Sequence, residues 1–115
     1  MRGDTASEPT LWIQPQDRAG RAIDRELMDA AHRNWRRVVS YARRQGQDSS
    51  RAAEELESAV HSLSALFDRH PRFRGRIRNF DDYVFWVTAH RLNRWAARQP
   101  SVEYVGALED LNVLQ

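Results

Sequence analysis

An all-α protein, folded as a compact bundle of three to four helices, is what this sequence predicts, on two observations. Apolar residues recur at intervals of three and four through three long segments, and those segments are separated by helix-stopping residues at Gly46, at His70-Pro71 and at Pro100. The 115 residues suffice for one core but not for two. We expect an N-terminal arm over 1–21, a helical domain over 22–99 and an acidic tail over 100–115.

Taken in order, residues 1–20 combine Gly3, Pro9, Pro15 and Gly20 with little periodicity, which reads as a flexible arm. Leu11, Trp12 and Ile13 form one apolar patch in it, suited to docking on the domain. The first helix should run from about Ala22 to Arg44 and stop at Gly46, with a separate short helix over 22–30 if it breaks. Its stripe is Leu27 or Met28, Ala31, Trp35, Val38 with Val39, and Ala42; Trp35 is read as core. Arg33, Arg36, Arg37, Arg43 and Arg44 fall on the other face and are expected to be solvated. The second helix should start at a Ser49 or Ser50 cap and end near Arg69, with Ala53, Leu56, Val60, Leu63 and Phe67 inward and Glu54, Glu55 and Glu57 outward. From Asp48 to Asp68 this segment carries five acids and one arginine, a charge of about −4.

The next stretch is of opposite sign. From Arg69 to Arg98 eight arginines face only Asp81 and Asp82, about +6 within a chain of +2. Arg72, Arg74, Arg76 and Arg78 occupy every second position of an expected loop, with Phe73, Gly75 and Ile77 between them, a pattern suited to holding phosphates while an apolar side chain meets a base. A solvated basic loop would account for that run alone; the helix that follows favours an interface. Asn79 is a good cap for it, with Asp82 placed to reach back as in a capping box. Tyr83, Val84, Phe85, Trp86 and Val87 are five consecutive large apolar residues, more than one buried face can hide. Positions 84, 85, 88 and 92 are assigned to the core, with Tyr83, Trp86, His90 and Arg94 toward the open side. Aromatics exposed beside arginine make a stacking platform for unpaired bases.

Other chemistries find no support. His32, His61, His70 and His90 lack metal-ligand spacing, there is no Gly-rich phosphate loop, and nothing sets a base and an orienting acid beside a nucleophile, so no catalytic residue, metal or cofactor is expected. There is no cysteine, no signal-like apolar segment at the N-terminus and no run of eighteen apolar residues, which reads as cytoplasmic with no membrane partner. All eighteen basic residues are arginine; coding bias accounts for that, and it carries no functional inference.

In sequence, these pieces resemble region 2 of bacterial sigma factors, in the compact extracytoplasmic-function (ECF) group of the sigma-70 family, over Glu26 to Leu111. The resemblance rests on Tyr41-Ala42-Arg43-Arg44 before a Gly-containing turn, on Ala53-Glu54-Glu55-Leu56, and on the loop with Asn79-Phe80, Tyr83-Val84-Phe85 and Val87-Thr88-Ala89-His90-Arg91. Val102 to Leu111 is similar to the family's acidic interdomain linker; the family's second, helix-turn-helix domain is not within these residues. The resemblance implies a sigma factor region 2-like fold and a role in transcription initiation: binding the beta-prime subunit of core RNA polymerase, and recognising and melting the −10 promoter element by capturing its non-template strand. It further implies polymerase contacts at Glu54, Glu55, Ser58 and His61. For promoter DNA it implies contacts at Arg72, Phe73, Arg74, Arg76, Arg78, Asn79, Phe80, Tyr83, Trp86, His90, Arg91 and Arg94, with an anti-sigma factor as a further partner. The alternative is a non-catalytic helical module of the same fold that binds a protein, and not DNA, through Tyr83, Phe85 and Trp86.

Overall fold

Apolar stripes at helical spacing need partners, and the computed structural model, which describes residues 10–97, supplies them by packing three long helices against one another. The elements are α1 (Arg25–Arg44), α2 (Ser49–Arg69), the short α3 (Pro71–Gly75) and α4 (Phe80–Ala97). Helix α1 packs on both α2 and α4, α4 also meets α2, and α3 rests on α2. Leu27, Val38, Val39, Leu56, Val60, Val84 and Leu92 are fully buried between them, with Trp35 at the edge of the same core. A four-helix all-α bundle is therefore the fold, and no strand occurs among the described residues.

Local chemistry sets the ends. Gly46, at φ +76°, closes α1: its N–H reaches the Arg43 carbonyl at 3.0 Å, and the Gln47 N–H reaches Ala42 at 2.9 Å, the paired bonds of a Schellman motif. Helix α1 starts at Arg25, three residues later than the pattern suggested. Asp17 explains this, because its Oδ1 accepts from the N–H groups of Ala19 and Arg21, both at 2.9 Å, folding a turn that leaves Ala22 bridged to Gln16. Helix α2 is capped by Asp48, whose carboxylate accepts from the Arg51 N–H at 2.9 Å, and not by either serine. Its buried side is rotated from the expected stripe: Ala52, Ala59 and Ser64 join Leu56, Val60, Leu63 and Phe67, while Ala53 is half-buried. The arginine-rich segment differs most, because Pro71 opens a helical turn where a loop was expected.

The arm is built into the domain from residue 10 onward. Leu11 and Ile13 are buried while Trp12 between them is 67% exposed, the alternation of an extended segment with one face on the protein. Residues 1–9 and the tail from 98 onward, including the linker-like Val102 to Leu111, lie outside the described residues.

Candidate nucleic-acid interface

Helix α3 explains what becomes of the four alternating arginines. At about 100° per residue, positions 72 and 76 share one side of a helical turn and position 74 takes the other. Arg74 accordingly turns inward, pairing with Asp24 at 2.7 Å and with Glu26, and lying over the rings of Phe67 and Phe80. It fastens α3 to the domain and is not available to a strand. Arg72, Arg76 and Arg78 stay exposed, with no acidic partner among the described residues.

An aromatic chain carries the same segment. Phe67 of α2 meets Phe73 at 6.3 Å and Phe80 at 6.0 Å, and Phe73 meets Tyr83 edge-on at 5.9 Å. Phe73 and Phe80 are therefore half-buried supports, each with limited open surface. Burial raises the Tyr83 phenol above its ordinary pKa, so it remains a neutral hydroxyl at neutral pH. Beside it an open groove of about 380 Å³ is lined by Phe73, Arg76, Arg78, Asn79, Tyr83 and Trp86, with Asp82 on its wall. A second hollow, holding His70 and Arg72, shares Phe73 and Arg76 with the first, so the two adjoin, and together they are called the track. Trp86, which lines the first, is 50% exposed.

The N-terminus of α4 is held by arginines that the sequence assigned to solvent. Arg33 grips Asp81 with Nε and Nη2, both at 2.8 Å, and Arg37 Nη1 reaches Asp82 at 2.8 Å. Asn79 does cap the helix, its Oδ1 accepting from the Asp82 N–H at 3.0 Å. Asp82 does not complete a capping box, because its carboxylate is taken by Arg37. The Arg33 hydrogen bonds hold Asp81 below the ordinary carboxylate pKa, outweighing the opposing effect of its partial burial. Buried Asn34 adds a bond from Nδ2 to the Asp81 carbonyl at 2.8 Å.

The remaining expected DNA contacts separate. Trp86, His90 and Arg94 follow one another at helical spacing of four along α4. Arg91, however, pairs with Glu55 at 3.1 Å, and with Arg94 and Trp95 it lines a different hollow, away from the track. Of the positions expected to face polymerase, Glu54 is exposed, while Glu55 is largely covered between Arg51 and Arg91. Ser58 and His61 border a groove of about 830 Å³ whose other wall is the arm. Main-chain Gln14 is pinned there, its N–H donating to Glu57 at 2.7 Å and its carbonyl 3.0 Å from His61 Nε2.

No protein-family model matches the chain, and neither a curated protein nor a solved structure matches it.

Among the described residues there is no group of side chains fit to hold a metal ion, and no helix is long and apolar enough to cross a membrane. Sequence reasoning expected the arm's apolar patch to dock but missed the Gln14 main-chain bonds to α2, and it missed the double clamp from α1 to α4. Arg33 and Arg37 at i, i+4 opposite the adjacent Asp81 and Asp82 were a signal for the clamp, legible once two helices are known to be neighbours.

Proposed function

We propose that this chain is a non-catalytic, single-strand-binding module of the sigma region 2 kind, which binds core RNA polymerase and captures the opened −10 promoter strand during transcription initiation. One observation carries the DNA side of this reading: Arg72, Arg76 and Arg78, unpaired with acid among the described residues, border two adjoining hollows, one of them also lined by half-exposed Trp86. Cations at the rim attract a phosphate backbone, and the exposed indole offers a face to any unpaired base. Stacking at about 1–3 kcal/mol per base, added to phosphate contacts, is of the size needed to offset unstacking a duplex step, a few kcal/mol. The polymerase side rests on the acidic exposed edge of α2 at Glu54 and on the resemblance of Ala53-Glu54-Glu55-Leu56.

Fluorescence anisotropy with labelled single-stranded and duplex DNA pools at two salt concentrations tests the reading. Single strands should bind more tightly than duplex and weaken steeply with salt, and Trp86→Ala should lower single-strand affinity by roughly tenfold, the equivalent of about 1.4 kcal/mol of lost stacking. Binding that ignores salt, or an absence of DNA binding at low salt, overturns the reading in favour of a protein-binding role.

A further inference from the structure

Asp82 lies on the wall of the track, where a bare carboxylate would repel a phosphate backbone. Its carboxylate is not bare, because Arg37 Nη1 stands 2.8 Å from Oδ1. The guanidinium is fixed in that place from a second side, lying over the Phe85 ring 3.8 Å from its centroid. Phe85 in turn meets Trp86 edge-on, ring centroids 5.6 Å apart. Arg37 itself comes from α1 and does not line the groove. Asp81, the neighbouring acid, is held separately by both prongs of Arg33.

We infer that Arg37 is a positioning residue for the strand interface, acting through Asp82: it neutralises the one carboxylate on the groove wall without touching the strand. This role rests on the reading of the track as a nucleic-acid site. It follows from two opposed demands on one position. The first turn of α4 is stabilised by acids, because the positive end of the helix dipole lies there. A phosphate-binding surface a few ångströms away is weakened by them. Pairing Asp82 with an arginine from a neighbouring helix meets both demands, provided the arginine stays in place, and the Phe85 ring keeps it there.

A double-mutant cycle tests this, using Arg37→Gln, Asp82→Asn, the double variant and Arg37→Lys, with labelled single-stranded DNA at low and high salt. Arg37→Gln should weaken binding by about three- to tenfold at low salt, the loss shrinking as salt screens the exposed carboxylate. In the Asp82→Asn background the same substitution should change affinity by less than about twofold. Arg37→Lys, which keeps the charge but not the planar fork, should lose less than Arg37→Gln. Thermal melts followed by circular dichroism check that each variant is folded at the assay temperature. Should Arg37→Gln fail that check, Asp82→Asn alone decides: it must bind at least as tightly as the wild type, and weaker binding overturns the inference. Equal losses from Arg37→Gln in both backgrounds, or no loss at all, also overturn it while leaving the groove reading intact. A wild type that binds no single strand overturns the groove reading and this role with it.

Discussion

Arg74 and Arg76 stand two positions apart in one motif and do opposite things. Helical geometry turns Arg74 toward Asp24, Glu26 and the faces of Phe67 and Phe80, and turns Arg76 outward to a groove wall. Their alanine variants should therefore separate stability from binding. Arg74→Ala removes a partly buried ion pair and two ring contacts, and should lower stability by about 1–2 kcal/mol, seen in urea melts, with the salt slope of DNA binding unchanged. Arg76→Ala should leave the melt within about 0.5 kcal/mol of the wild type and reduce the log–log salt slope by about 0.7, the value of one lost single-strand phosphate contact. The period-two spacing of 72, 74, 76 and 78 gave no warning of this difference. Alternation suggests an extended chain with equivalent arginines, and only the helical turn begun by Pro71 sorts them. Trp86, in contrast, was legible as exposed, because five large apolar residues in a row exceed what one helix face can bury.

At the scale of elements, the three long helices follow from their stripes, and their C-terminal stops from Gly46 and Pro71. Asn79 was legible as the cap of α4, but the start of α2 was less so because several small polar residues competed for its cap. Asp48, Ser49 and Ser50 are all competent in type; Asp48 prevails because it sits outside the helix, with φ −91° and ψ 175°, where its carboxylate can reach the Arg51 N–H. Asp48→Ala should lower stability by about 1 kcal/mol, a few degrees in melting temperature, whereas Ser49→Ala and Ser50→Ala should fall within about 0.5 kcal/mol of the wild type. The arm was hardest to read. Its docking depends on a turn nucleated by a single side chain, Asp17, and on main-chain bonds from Gln14 to Glu57 and His61, more than forty positions away. Periodicity is blind to both kinds of contact, since neither repeats along the chain.

At the scale of the molecule, charge is sorted by sign along the sequence and then drawn together by the fold. Asp24 ahead of α1 and acids of α2 and α4 meet arginines from other segments in cross-element pairs, Arg33–Asp81, Arg37–Asp82, Arg74–Asp24 and Arg91–Glu55, while Arg72, Arg76 and Arg78 in and after α3 have no acidic partner among the described residues. Such a molecule should be sensitive to acid in a defined direction. Asp81 is shifted down by the Arg33 fork, so its contribution is fully present above the ordinary carboxylate pKa of about 3.9 and is lost as pH falls through the lowered value. Asp17 is shifted down as well, chiefly by the Arg21 N–H, and its turn should loosen over the same range. Protonating all sixteen acids of the chain at low pH also leaves its eighteen arginines without compensation. Urea melts from pH 7 down to about pH 2.5 should therefore show stability nearly level to about pH 5 and falling below pH 4, with added salt recovering part of the loss by screening. Asp81→Asn should begin less stable at pH 7 and fall less steeply, converging on the wild type at the acid end, because it has no carboxylate there to protonate. Parallel curves for the two proteins would mean that the Arg33 clamp does not stabilise the folded state, leaving α4 to its buried face, the Arg37–Asp82 pair and the Asn34 bond.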